Sequence, residues 1–179
     1  MPKIVDREKQ RAEILTAAFP LFATKGFGVV GMRQCAKELG VSTGTLYHYF
    51  SSKEDLFEQM FLRKSQNLVQ DLVQRIPTEG LRGERVDGLI DFVDVHSLEL
   101  RRMLVMAFDF RRNGPEASEL LNQSFLFFRL SLKQSLGIAK VEDADRLLVL
   151  LFGILSRQVL LTDPLDLQSY RKDLANVLP

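Results

Sequence analysis

The stretch from Leu39 to Phe57 reads LGVSTGTLYHYFSSKEDLF and concentrates side chains able to do chemistry. Ser42, Thr43 and Thr45 carry hydroxyls, Gly44 leaves its backbone bare, Tyr47 adds a phenol, His48 an imidazole and Lys53 an ammonium. Placed on a helical wheel from Ser42 to Phe50, Leu46 and Phe50 fall together on a core-facing side, with Ser42 and Tyr49 at its edge. Thr43, Gly44, Tyr47 and His48 point the other way. A face made of one hydroxyl, one bare backbone site, one phenol and one imidazole packs poorly in a core. It suits phosphate oxygens and base edges, which take short donors at close range and longer ones beyond them.

The elements around this face follow from punctuation and periodicity. From Arg7 to Lys25, the apolar residues Ile14, Leu15, Ala18, Phe19 and Phe22 recur at helical spacing, and Gly26 suits the position that ends such a helix. Pro20 lies inside this pattern and removes the bond from its own nitrogen to the Thr16 carbonyl, which predicts a kink. Met32, Cys35, Ala36 and Leu39 make a single stripe on a short second helix, and Gly40 ends it. Ser42 is a good N-cap for the helix that follows. Helix, glycine turn and helix at this spacing form a helix-turn-helix. Ser52 caps a fourth helix, with Asp55 at the third position of a near capping box. Lys53 sits in its first turn, where a cation opposes the helix dipole. It is either a solvated lysine or one with an anion nearby.

Charge is split along the chain. Residues 1 to 53 hold eight Lys or Arg against four acids, a net of +4, whereas the whole chain of 179 residues carries +1. A basic head on an acidic body suits a polyanion partner for the head. The lone cysteine, Cys35, cannot form an intrachain disulfide. Its place in the apolar stripe points to a buried, unreactive thiol, with a redox sensor as the other reading. There is no CxxC, HExxH or phosphate-binding glycine loop, and His48 and His96 are the only histidines, which excludes a histidine-rich metal site. No nucleophile with its base, carboxylate pair or metal cluster is assembled, so neither an enzyme nor a cofactor is expected. No run of 18 apolar residues is present, and no apolar segment follows the N-terminal charges, so the expected place is the cytoplasm.

TGTLYHYFSSKEDLF resembles the DNA-binding motif of the TetR family of bacterial transcriptional regulators. The resemblance extends over about residues 8 to 57, through LFATKGF and AKELGVSTGTLYHYF. It implies an all-α fold with a three-helix DNA-binding head over residues 1–52. A ligand-binding and dimerising helical body would follow over 53–179. On the resembling recognition helix lie Thr43, Gly44, Thr45, Tyr47 and His48, with Ser42 at its start. Tyr47 and Lys53 occupy positions that touch phosphate in that family, and Arg33 matches one that reaches a base or phosphate. Three departures stand out. Val30 and Gly31 replace the usual Thr or Ser before the second helix, Cys35 replaces a branched aliphatic residue, and Pro20 interrupts the first helix.

The remainder matches only by its helical pattern. Ser52 to about Ile76 reads as one long helix, with Leu56, Met60, Leu68 and Leu72 among its apolar positions. Gly83–Val95 and Ser97–Arg112 read as two helices, followed by Glu116–Leu136 and Glu142–Leu161, and Asp163-Pro164 starts a last one. Glu116–Leu136 and Glu142–Leu161 carry apolar residues on more than one face. They are either fully internal or buried on both sides, against their own body and a second subunit. With the resemblance, the second reading makes Leu121, Phe125, Phe128, Leu148, Leu151, Phe152, Gly153 and Leu155 a dimer interface. Candidates for an apolar or aromatic effector site are Phe92, His96, Phe108, Phe128 and Arg129. The sequence is thus expected to encode a homodimeric, ligand-responsive repressor of a near-palindromic operator. The alternative is a body that docks a protein partner instead of a small molecule.

Overall fold

A computed structural model describes residues 2–77, 80–112, 115–161 and 166–178, with side chains over 7–77, 80–112, 119–161 and 166–178. Eight α-helices and one 3-10 turn account for the architecture, and the described residues include no strand. The expected all-α fold is therefore found. In chain order the helices are α1 (Pro2–Lys25), α2 (Met32–Glu38), α3 (Thr43–Tyr49), α4 (Lys53–Arg75), α5 (Arg82–Arg111), α6 (Pro115–Ser135), α7 (Val141–Leu160) and α8 (Arg171–Val177). The 3-10 turn, Leu167–Tyr170, leads into α8. The helix start read at Asp163-Pro164 lies outside the described residues.

The sequence pattern separates Gly83–Val95 from Ser97–Arg112, but the structure has one unbroken helix, α5, across both. The physical reason lies in the join. No glycine or proline occurs between residues 89 and 112, so no residue there removes a backbone donor or frees the chain to turn. His96 at the join does not cap a helix end. Its Nε2 lies 2.7 Å from Asp71 of α4, and its Nδ1 lies 3.1 Å from Glu99, one turn along its own helix.

The helices form two compact units. The first comprises Met1–Lys64 and Met106–Leu120, the second Ser65–Val105 and Leu121–Pro179. The first unit is built around an aromatic cluster. Phe57 lies 5.3 Å from Phe22, 5.1 Å from Phe27 and 4.4 Å from Phe110 between ring centres, and all four rings are buried. Leu46 and Phe50 are also buried, so the core-facing side read from the helical wheel is the buried side of α3. In the second unit, α4 and α5 pass close at Gly88, where an added Cβ would stand 2.8 Å from the Arg75 carbonyl oxygen. Arg75 bridges the same pair of helices, reaching Asp71 and, at 2.6 Å, Asp91. Arg85 of α5 donates at 2.7 Å to the Leu136 carbonyl, which satisfies one of the unpaired acceptors at the end of α6.

Candidate nucleic-acid interface

The first unit positions its exposed helix by a sequence of caps. α1 ends at Gly26, whose φ of +80° and N–H bond to the Phe22 carbonyl close the helix in the left-handed turn that glycine permits. α2 starts after Gly31, which offers no side-chain cap. It ends at Gly40, φ +69°, where an L side chain would be strained. The Val41 N–H donates back to Ala36 at 3.0 Å, so the turn is locked by its own backbone. Ser42 then caps α3: its Oγ accepts the Thr45 N–H at 2.9 Å and sits 2.8 Å from the Thr45 hydroxyl. Each feature follows from a residue that sequence reading singles out.

Tyr47 is 53% exposed, and Gly44 and His48 are exposed beside it, while Thr43 is half-buried. Arg33, one helix earlier, is exposed. Thus Thr43, Gly44, Tyr47 and His48 share one short helix, with Ser42 and Thr45 engaged at its cap. Tyr49, at the edge of this face, donates its hydroxyl to Gln10 of α1 at 2.8 Å, and Arg7 lies over its ring. Arg7 and Gln10 thereby adjoin the face, although sequence reading did not place them there. No local signal pairs residues so far apart in the chain.

Lys53 has a different environment from an open lysine. It is half-buried, its Nζ donates to the Phe27 carbonyl at 3.0 Å, and it lies 4.0 Å from the centre of the Phe27 ring. One of its three donors is therefore taken by the turn between α1 and α2. The cap of α4 also differs in detail from a regular capping box. Ser52 Oγ accepts the Asp55 N–H, but the Asp55 carboxylate takes the N–H and hydroxyl of Ser51, one residue earlier than the reciprocal partner. Burial works against the charged form of Asp55. The bonds from the Ser51 backbone, Gln59 and the Ser51 hydroxyl outweigh it and hold the carboxyl below its ordinary value. Cys35 is fully buried, and that burial pushes its thiol up despite the opposing charge of Lys53, so a reactive thiolate is disfavoured.

In the second unit, α6 and α7 present a partly open apolar face. Phe125 and Phe152 pack at 4.9 Å, and Arg129 pairs with Asp145 at 3.4 Å. Asn122, Leu126, Leu148 and Val149 line the same shallow hollow. Val149 is 71% exposed and Leu126 is exposed, two residues that the sequence reading did not assign to this face. Gly153 is exposed, and a Cβ added there would meet nothing within 4 Å. Phe125, Phe128, Leu148, Phe152 and Gly153 thus retain surface in the single chain, whereas Leu121, Leu151 and Leu155 are buried within it.

The candidate effector residues are not brought together as one set. Phe92 is buried with His96 at 5.0 Å between ring centres, and Arg129 belongs to the α6–α7 face. Phe108 falls in the first unit and is 64% exposed. His96 is half-buried, with its ring nitrogens on Asp71 and Glu99. Asp71 lies below its ordinary value, since bonds from Arg75 and His96 prevail over the opposing effect of burial.

A short helix, a locked glycine turn and a second helix with an exposed polar face define the helix-turn-helix class of proteins. Residues 14–60 match the family model described as bacterial regulatory proteins, tetR family. That stretch of the chain, α2 and α3 included, is therefore similar to the DNA-binding segment of that family. The chain is 33% identical over 92 residues to the transcriptional activator FasR of Mycolicibacterium smegmatis, a match over 49% of this chain and 42% of FasR. It is 31% identical over 107 residues to the transcriptional regulator PksA of Bacillus subtilis, over 59% of this chain and 52% of PksA. The chain thus spans about half the length of these curated relatives. The fold is like that of a TetR transcription regulator from Haloarcula marismortui, with TM-score 0.77, 21% identity, and 96% and 97% of the two chains covered. It is also like that of the multidrug binding protein EbrR complexed with malachite green, with TM-score 0.74, 23% identity and coverage of 94% and 98%. No helix among the described residues is long and apolar enough to cross a membrane.

Proposed function

We propose that this protein is a homodimeric, DNA-binding transcriptional repressor of the cytoplasm that reads a near-palindromic operator and carries out no catalysis. The observation that carries this reading is the exposed polar face of α3, held by the Ser42 cap and the Gly40 turn. In the major groove, Thr43 and His48 read base edges, while Tyr47 and the remaining donors of Lys53 take phosphate. Arg33 supplies a further contact from α2.

The dimer is proposed along α6 and α7. Phe125, Leu126, Leu148, Val149, Phe152 and Gly153 form an apolar surface that a two-fold axis can match to itself. A regulator with two heads then meets two half-sites on one side of the duplex. The effector is proposed to be a small apolar or aromatic molecule held in the second unit, with Phe92 and His96 as its first candidates. Support comes from the fold likeness to EbrR, whose structure holds malachite green. Such a molecule would lower DNA affinity by favouring a body arrangement that separates the heads wrongly for the operator.

The test is titration of fluorescently labelled duplex DNA with the full chain, wild type against Tyr47→Ala. Wild-type binding should weaken steeply with salt, as phosphate contacts require. Tyr47→Ala should bind all sequences more weakly while keeping its helical circular dichroism. A folded wild type with no affinity for any duplex refutes the proposal.

A further inference from the structure

The turn between α1 and α2 is gripped by two charged side chains from distant parts of the chain. Asp109 of α5 accepts the Phe27 N–H on its Oδ2 at 2.6 Å, and the Gly28 N–H at 3.4 Å. Lys53 of α4 donates to the Phe27 carbonyl. Phe27 therefore has its N–H on a carboxylate and its C=O on an ammonium. Its ring is 1% exposed, lying 4.8 Å from Phe110, the neighbour of Asp109, and 5.1 Å from Phe57. Gly26 completes the fit, since a Cβ there would stand 3.2 Å from Asp109 Oδ2. The carboxylate is thus seated against the backbone of the turn.

This turn leads into α2, whose N-cap residue Gly31 supplies no side-chain cap. α2 in turn packs against α3 through the locked Gly40 turn. A shift of Phe27 moves the start of the helix-turn-helix. We infer that Asp109 is a positioning residue for DNA binding: its carboxylate, opposed by Lys53 across Phe27, holds the turn that sets the helix-turn-helix in its binding arrangement. This inference rests on the reading of α3 as a DNA-contacting helix. Asp109 does not touch DNA in this account. Asp109 lies in the part of α5, from Met106 onward, that belongs to the first unit.

Charge makes the test sharp. Removing an acid from a DNA-binding head raises its affinity for DNA if only the electrostatic field matters. Loss of the anchored turn lowers affinity, because a smaller share of molecules is then competent to bind. Full-length wild type, Asp109→Ala and Asp109→Asn are titrated onto a labelled random-sequence duplex across a salt series. Amide hydrogen exchange is followed at Phe27 and Gly28. Asp109→Ala should bind about tenfold more weakly, the effect of one charge-assisted hydrogen bond. Its slope of log K against log salt should be unchanged, since no phosphate contact is lost. Phe27 and Gly28 should exchange faster while Leu46 and Phe50 stay protected. Asp109→Asn carries the same charge as Asp109→Ala but keeps an acceptor oxygen, so it should recover to within about threefold of wild type.

Equal or tighter binding by Asp109→Ala overturns the inference. So does a fall in binding that merely tracks the unfolded fraction in both variants, which makes Asp109 a stability residue. Failure of the wild type to bind any duplex is a separate result and overturns the proposed function itself.

Discussion

Gly153 offers a test in which two accounts of the α6–α7 face predict opposite signs. It lies inside α7, and a Cβ built on it meets nothing within 4 Å in the single chain. If the chain worked alone, Gly153→Ala would relieve the cost of glycine in a helix interior and stabilise the protein by about 0.8–1 kcal/mol. Gly153→Leu would also be accommodated, at the expense of one more apolar side chain on a surface that already exposes Val149. If a second copy crosses at this point, the open space is where its helix lies. An added leucine then overpacks a helix crossing, at about 1–3 kcal/mol. That corresponds to a dimer weakened by about fivefold to about 150-fold. Sedimentation velocity over a dilution series measures the association directly. Denaturation at two protein concentrations measures its contribution to stability, since a dimer's midpoint rises with concentration. The expected result is a wild-type dimer at micromolar concentration and a Gly153→Leu protein that dissociates more readily at equal helix content. Gly153→Leu that associates as tightly as the wild type removes the close crossing. A folded wild-type monomer that binds a full operator tightly removes the dimer altogether.

Other outcomes follow from the same geometry. Lys53→Gln should lower the slope of log K against log salt by about 0.9 if its free donors hold one phosphate; an unchanged slope leaves Lys53 only its bond to Phe27, and a salt titration decides. Pro20 is exposed within an unbroken α1, so Pro20→Ala should raise the melting temperature by restoring a helix donor. The gain should stay below the roughly 3 kcal/mol that proline costs in a helix interior, and a lower melting temperature would show that the helix depends on it. Asp55 has its carboxyl held below the ordinary value, so its contribution to stability is complete above that value and is lost as pH falls through the lower folded value. Asp55→Asn should therefore flatten the acid side of the stability profile measured by urea denaturation, and an identical acid limb in both proteins would contradict the role of the Ser51 and Gln59 bonds.

Local chemistry made the head legible. Gly26, Gly40, Ser42 and Ser52 each act within a few residues of themselves, and each has the role that its type predicts. The division of α5 failed for the complementary reason. An apolar pattern that loosens around His96 resembles a break, but no proline or glycine stands there to interrupt the helix. The contacts of Lys53 and Asp109 with Phe27 were not legible, because they join positions 26 and 82 residues apart. The apolar excess of α6 and α7 was visible in composition. Which residues remain outside, Leu126 and Val149 among them, is decided by how the two helices pack.

The central claim is that the exposed face of α3 reads DNA sequence. The most direct measurement is selection of binding sites from a randomised duplex pool by the wild-type protein and by Thr43→Ala and His48→Ala variants. The account predicts that the wild type enriches two half-sites related by two-fold symmetry. Each variant should lose preference at particular positions within them, by no more than about 1–3 kcal/mol per base contact. Enrichment of no sequence by the wild type, or identical site preferences in all three proteins, would contradict it.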